Sequence, residues 1–312
     1  MSNLGVTLLM PVRNGANFIE RSVGFLMQNA RPTDEILIVD DGSEDETPTI
    51  LKRLSQKHPI LHVVKGHGNG LAHALNLGVS EAEHPWIARF DVDDRYPGNR
   101  LEIQRGYISG HVVSVFSDYN TWNTNNRFLG QICSPIFPTP TKLSLILNQR
   151  TAHPSVLFSK SAVIEVGKYR EDYFPAEDLD LWYRLGEIGD LISAPVPLLD
   201  YTIHQHSTSA TKRQDMIKQL NRITNEMRFT KNFEFKVHRF ADEELWTYRN
   251  MDNPDARILL FLREYFIYAK LYENRSASVN RMAKLIKQHV TFTRGLSAIS
   301  ELAYYKLIRS LS

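Results

Sequence analysis

The chain has 312 residues, 42% of them hydrophobic and 23% charged, proportions that allow a sizeable core and exclude a disordered or fibrous polypeptide. With 37 basic and 35 acidic side chains the formal charge is +2, which gives no electrostatic case for nucleic-acid binding. A single cysteine, Cys133, excludes an internal disulfide and fits a reducing compartment.

Val6 to Met10 is a short apolar run stopped by Pro11, and Phe18, Val23, Phe25, Leu26 and Met27 then recur with near-helical spacing up to Asn29. Glu35 to Val39 predicts a second buried strand, ending in Asp40-Asp41-Gly42-Ser43. Thr47-Pro48 opens a helix that turns Ile50, Leu51 and Leu54 inward. A third strand is predicted at Leu61 to Val64, a third helix at Leu71 to Val79 and a fourth strand at Trp86 to Phe90. Strands alternating with helices imply a parallel sheet covered on both faces, with right-handed crossovers. Ligands bind such sheets beyond the carboxyl ends of the strands, so the acidic pairs after Val39 and after Phe90 should share one rim.

Beyond Pro97 the pattern predicts a short helix near Asn99 to Tyr107 and a strand at Val112 to Phe116, then a polar, Asn-rich stretch from Ser117 to Arg127 in which turn chemistry dominates. Further strands are expected at Gly130 to Phe137, Ser155 to Phe158 and Leu198 to Ile203, and a helix at Glu177 to Leu185. From about Thr211 the reading is nearly all helix. The division expected is an α/β domain over residues 1–212 and a C-terminal helical region over 213–312.

The densest chemistry lies in Arg89-Phe90-Asp91-Val92-Asp93-Asp94-Arg95, which packs three carboxylates into four positions after an apolar run. Strand alternation would point Asp91 and Asp93 to one side and turn Asp94 away. Two such carboxylates repel unless a metal ion or a hydrogen-bonded partner stands between them, and Mg²⁺ or Mn²⁺ suits sparse oxygen ligation completed by a substrate phosphate. The alternative is a solvated acidic turn with Asp94 capping the next segment. Asp40 and Asp41, at a strand end, could accept the N3 hydrogen of uracil or thymine, a donor that cytosine lacks. Gly66, Gly68 and Gly70 alternate, but a dinucleotide-binding loop would need a further glycine where Leu71 stands. A flexible loop with Asn69 capping the helix from Leu71 fits better. Glu177 and Asp178 open a helix, where the dipole favours ionised carboxylates, and an Asp of ordinary pKa near ~4 is deprotonated at neutral pH. His153 precedes Pro154, which favours an extended backbone. Arg184 could pair with Asp180 as an i, i+4 partner or reach a phosphate.

Six stretches, Pro11-Val12-Arg13-Asn14, Val39 to Ser43, Asn69-Gly70-Leu71-Ala72 with Asn76-Leu77-Gly78, Asp91 to Asp94, His153-Pro154-Ser155 and Glu177 to Trp182, occur in the order and spacing of a known family. Over residues 5–210 the chain resembles the family-two inverting glycosyltransferases of the GT-A fold, of the bacterial polysaccharide type. The resemblance implies a mostly parallel, Rossmann-like sheet and transfer of a sugar from a UDP- or dTDP-sugar to a hydroxyl of a glycan or lipid-linked glycan, assisted by Mn²⁺ or Mg²⁺. It implies that Pro11, Val12 and Asn14 frame the base beside Asp40 and Asp41, and that Asn69 and Gly70 close over the sugar nucleotide. Arg13 departs from the aromatic residue common at its position. By the same resemblance Asp91 lies near the sugar or ribose, Asp93 is the direct metal ligand and Asp94 supports it. His204 is the late-sequence ligand, with His206 competing. Asp178 is implied as the general base, Glu177 as the competing choice and Asp180 as structural. His153 faces the acceptor or is structural. A non-catalytic nucleotide-binding or scaffold protein is the alternative reading, and a glycoside hydrolase, which also uses paired carboxylates, is a more distant one.

From Lys270 onward eight Lys/Arg stand against two Glu, while the preceding 269 residues carry 29 basic and 33 acidic groups. This basic tail, with its apolar stripe, either lies on an anionic membrane surface or packs on the catalytic domain or on another subunit. The chain enters its first strand with no charged-then-apolar leader and no apolar run near 18 residues, so a cytoplasmic location is expected, with peripheral contact at the inner face of the cell membrane left open.

Overall fold

The computed structural model describes residues 4–132, 134, 151–204 and 211–228. Its first four strands, β1 (Val6–Val12), β2 (Glu35–Asp40), β3 (Leu61–Lys65) and β4 (Trp86–Arg89), alternate with α1 (Ile19–Asn29), α2 (Thr47–Lys57) and α3 (Leu71–Glu81). These strands pair parallel in the order β3-β2-β1-β4. All residues of β1, β2 and β4 are buried, as expected of strands covered on both faces. The order reverses at β1, which has β2 on one side and β4 on the other, and this opens a crevice at their carboxyl ends.

The rest of the sheet is mixed. After α4 (Arg100–Arg105) come β5 (Val112–Asn123), β6 (Phe128–Ile132), a 3-10 turn at His153–Ser155 and β7 (Leu157–Ser159). Then follow α5 (Lys160–Glu165), a 3-10 turn at Glu171–Tyr173, α6 (Glu177–Ile188), β8 (Asp190–Ile203) and α7 (Arg213–Arg228). β7 is antiparallel to β4 and to β5, β6 is antiparallel to β5, and β8 runs parallel to β5 along its other edge.

Four local differences from the sequence expectations have physical causes. β1 continues through Pro11 to Val12. The Leu9 carbonyl accepts from Phe90 and the Val12 carbonyl from Asp41, so by alternation Pro11 faces the β4 edge beyond the last paired residue, Arg89, where its missing N–H forfeits no ladder bond. The stretch Ser117 to Arg127 is a strand up to Asn123 and only then a turn. Neighbours on both edges hold its polar residues extended, and the Asn123 side chain accepts from the amides of Asn125 and Arg127 to close the hairpin. His153 is not extended, because the Ala152 carbonyl takes both the Ser155 amide and the Ser155 hydroxyl and curls the backbone. The helix α7 lies in the same compact unit as the sheet, Met1–Phe229, whereas the sequence reading assigned it to the helical region beyond residue 212. Arg222 bonds the Asp172 carboxylate at 2.8 Å and stacks over Tyr173. The helices and basic tail expected over 229–312 lie outside the described residues, as do most of Gly130 to Phe137 beyond Ile132 and His206.

The loops after β1 and β2 are stitched together at the carboxyl rim. The Asn14 amide donates to Ser43 Oγ, the Gly15 amide to Thr47 Oγ1 and the Ala16 amide to Asp45 Oδ2, while Asn14 Oδ1 accepts from the Glu44 amide. Asn14 takes φ 54°, a left-handed conformation that asparagine tolerates better than most residues. Thr47 is fully buried, so Thr47→Val leaves the Gly15 N–H unpaired. A loss of about 1–3 kcal/mol is expected by chemical denaturation; an unchanged midpoint would mean that the bond contributes nothing.

Candidate active site

Asp91 and Asp93, just beyond β4, face a cavity of about 410 Å³ whose other walls include Leu71 at the start of α3, His153, Glu177 and Asp178 at the start of α6, Tyr201 and His204 at the end of β8, and Met216 of α7. Asp94 does not line it. Alternation thus anticipated which carboxylates share a side, although residues 91–94 lie beyond the strand, with a bend at 92–93.

One ligand oxygen of each of Asp91, Asp93 and Asp94 lies within 4.8 Å of the others. Asp93 Oδ2 is 2.8 Å from His204 Nε2. Asp94 is buried, accepts the Thr202 amide at 2.9 Å and has its other oxygen without a partner among the described residues. Burial, with the charges of Asp91 and Asp93, holds its carboxyl well above the usual carboxylate range. Asp91 is also raised by burial, against the opposing charge of Arg89, whose Nη1 lies 2.5 Å from Asp91 Oδ2. A hard-oxygen cluster beside an imidazole is a donor set that fits Mn²⁺ or Mg²⁺.

At the amino end of α6 two adjacent carboxyls are driven apart. Burial, then the neighbouring Asp178 charge, pushes Glu177 up to about 8, and Glu177 Oε2 has no partner among the described residues. Burial pushes Asp178 up to about 6, opposed by the Leu179 amide, which donates to Asp178 Oδ1 at 2.8 Å, and by Arg89. Asp178 is thus the more acidic of the two, and Glu177 the one that holds a proton more readily near neutral pH. The ordinary carboxylate value expected for Asp178 is corrected upward because its site is partly desolvated, and the environment separates two candidates that the sequence left side by side.

Asp180 is fully buried between Arg170 and Arg184. Arg184 spends its remaining donors on the carbonyls of Val166 and Lys168, so it pairs with Asp180 and does not reach for a phosphate. His153 lines the cavity, bonds the Tyr169 hydroxyl at 2.9 Å and meets Trp182 edge-on. Burial and the Arg89 charge hold its imidazole well below the usual histidine range, so it sits neutral.

Pro11, Val12, Asn14, Asp40, Asp41, Asn69 and Gly70 do not line this cavity; the first five lie at the ends of β1 and β2, and Asn69 and Gly70 in the loop from β3 to α3 that is tied to Asp41. Asp40 Oδ1 accepts the Ser43 amide. Asp41 accepts the Gly68 amide on one oxygen and the Gly70 amide on the other, each at 2.9 Å, and so anchors the loop that leads to Leu71 in the cavity wall. That close approach requires glycine: a Cβ at Gly66 would come 2.9 Å from Asp41 Oδ1, and Gly68 and Gly70 have φ of 73° and 98°. Asn69 does not cap α3; Gly70 holds the cap position without a side-chain bond.

Sequence reasoning overlooked Arg89, Tyr119 and Met216, which line the cavity, and Tyr169, which bonds His153. Arg89 alone carried a signal, because residues two apart at a strand end share a side and Arg89 precedes Asp91 by two.

The family model for glycosyl transferase family 2 matches residues 7–167. An uncharacterized glycosyltransferase of Rickettsia prowazekii is 27% identical over 218 residues, covering 66% of this chain and 66% of that protein. A second, from Rickettsia bellii, is 24% identical over 65% of this chain but only 30% of its own length, and the chondroitin synthase of Pasteurella multocida is 23% identical over 76% of this chain and 25% of its own. The chain therefore spans a minor part of some of the curated relatives it matches. Among solved structures, the mannosyltransferase PcManGT from Pyrobaculum calidifontis, in complex with GDP-Man and Mn²⁺, superposes with a TM-score of 0.57 at 17% identity, over 90% of this chain and 80% of that one. S. aureus TarS 1-349 in complex with UDP-GlcNAc superposes with a TM-score of 0.56 at 16% identity, over 86% and 74%.

Proposed function

Because the chain belongs to glycosyl transferase family 2 and has the GT-A fold, we propose that it moves a sugar, with inversion, from a UDP- or dTDP-sugar to a hydroxyl of a glycan or lipid-linked glycan. One observation carries this reading: the Asp93–His204 pair and Asp178 face the same cavity. Asp178 takes the proton of the acceptor hydroxyl as its oxygen forms a bond to the anomeric carbon, and the bond from that carbon to the diphosphate oxygen breaks on the opposite face. Glu177, neutral at working pH, offers a hydrogen-bond donor and not a second base. Asp93 and His204 would hold the divalent cation, with Asp91 and Asp94 beside them. Such an ion, when bound, takes up negative charge on the departing diphosphate. Asp91, Asp93 and Asp178 face the cavity beside the neutral Glu177, and an anionic donor entering it without a cation meets repulsion.

The base-recognition reading of Asp40 and Asp41 stands as part of the proposal, supported by their place on the adjoining rim. The acceptor class rests on the family resemblance. Among the described residues no helix is long and apolar enough to cross a membrane, and the proposed site of action is the cytoplasm.

A thermal-shift screen of UDP-, dTDP- and GDP-sugars, with and without Mn²⁺, tests the donor. Ligand at one hundred times its dissociation constant stabilises by about 2.7 kcal/mol, a readily measured rise in melting temperature. The largest rise is expected for a uridine or thymidine diphosphate sugar with Mn²⁺. A rise confined to GDP-sugars would overturn the donor assignment, and donor binding without turnover over a broad acceptor panel would favour a non-catalytic binding protein.

A further inference from the structure

Arg89 is the last residue of β4 and is 2% exposed. Its backbone is fixed from two sides, in register with Leu9 of β1 and through its amide to the Val156 carbonyl. Arg89 is the only lysine or arginine among the described residues that line the cavity. Its Nη1 bonds Asp91, and its Nε is buried without a partner among the described residues. Burying a guanidinium is costly, and a single carboxylate bond leaves much of that cost uncompensated, so the arrangement calls for an explanation beyond packing.

We propose that Arg89 is a positioning residue of the transfer site, whose buried guanidinium holds Asp91 in the cavity wall and sets a fixed positive charge in the cavity that Asp178 also lines. The proposal rests on the transferase reading for its role in turnover, but its electrostatic part concerns this chain alone. Asp178 is faced by Glu177 on its own helix, by Arg89 from β4, by Tyr169 from the segment before α6, and by Asp91, Asp93, His153 and His204 around the cavity. Only Arg89 among these carries a permanent positive charge. Its field opposes burial at Asp91, Glu177 and Asp178, and it acts with burial to keep His153 neutral. Through Asp178 it acts on the base without touching the reacting atoms.

Arg89→Gln removes the charge, and Arg89→Lys keeps it while losing the planar fork. Two readouts separate the proposed role from simple packing. In the first, the γ-carboxyl ¹³C signal of Asp178, identified by its loss in Asp178→Asn, is titrated in the full chain. Arg89→Gln is expected to move its midpoint upward by about one pH unit, a tenfold change in the ionised fraction on the acid side, and Arg89→Lys to leave it near the wild-type position. In the second, release of UDP from UDP-GlcNAc with Mn²⁺ is followed against pH. The acid limb of kcat should shift upward in Arg89→Gln and be restored in Arg89→Lys. If Arg89→Gln fails to fold, the double variant Arg89→Gln/Asp91→Asn, compared with Asp91→Asn alone, removes both ends of the buried pair and gives the same midpoint comparison. An unmoved midpoint, or equal loss of melting temperature in both single variants with no shift of either readout, overturns the proposal. Absence of UDP release from the wild-type chain counts against the transferase reading instead, and the carboxyl titration then decides Arg89 by itself.

Discussion

Asp178→Asn is expected to lower sugar transfer by about 10²–10⁴-fold, the usual scale for a positioned general base, while leaving sugar-nucleotide affinity near its wild-type value. The substitution is nearly isosteric, and the amide oxygen can still accept the Leu179 N–H that Asp178 Oδ1 now holds, so the loss reports chemistry and not unfolding. The pH dependence has a definite sign. A base must be deprotonated to act, and Asp178 sits at about 6, so turnover should be present above that value and fall as pH drops through it. Being raised improves Asp178 as a base while leaving it mostly ionised at neutral pH. Glu177→Gln is the matching control. Glu177, at about 8, is protonated at neutral pH, and a neutral amide preserves its hydrogen-bonding capacity, so a loss below about tenfold is expected at pH 7. Stopped-time product assays with both variants between pH 5 and 9 settle the order. A larger loss in Glu177→Gln than in Asp178→Asn would exchange the two roles, and full activity in Asp178→Asn would remove Asp178 from the reaction.

The same carboxyls show where a sequence is readable and where it is not. β1, β2 and β4 announce themselves as unbroken apolar runs because both faces of the parallel sheet are covered. The far half of β5 does not, because Asn120, Thr121 and Asn123 are held extended by ladder bonds to β6 and β8, which leave no trace in side-chain hydrophobicity. Asp91, Asp93 and Asp178 could be selected by spacing and by resemblance, yet residue type alone does not separate Asp178 from Glu177. Burial raises both, and their difference arises from the Asp178 charge, which pushes Glu177 further up, and from the Leu179 amide, which donates to Asp178 and opposes its rise. Asp41 illustrates the converse. Its position at a strand end suggested an acceptor for a base, and the loop containing Gly66, Gly68 and Gly70 also folds back and places two amides on its carboxylate. Backbone donors of that kind are invisible to residue types, since every residue but proline carries one.

Removal of divalent metal should stop transfer, and added Mn²⁺ should restore it. The argument is one of charge. A nucleoside diphosphate entering the cavity approaches Asp91 and Asp93, and a cleft with two such carboxylates and one arginine does not favour an anion unless a cation intervenes. Asp93 and His204 already stand at 2.8 Å from each other, the contact that two prospective ligands can make directly when no ion separates them. Asp93→Asn and His204→Ala should each weaken Mn²⁺ binding by at least about 10–100-fold, the range seen when even supporting groups of a metal site are lost, with turnover partly recovered at high Mn²⁺. Asp94→Asn serves as a contrast, because Asp94 is buried against the Thr202 amide and its replacement should register in melting temperature more than in metal dependence. Activity measured against EDTA, then against rising Mn²⁺, distinguishes these cases. Undiminished transfer in excess chelator would leave Asp93 and His204 as a hydrogen-bonded pair that shapes the cavity, and the charge of the leaving diphosphate would then have to be met by the chain's own cations, Arg89 in the cavity wall among them.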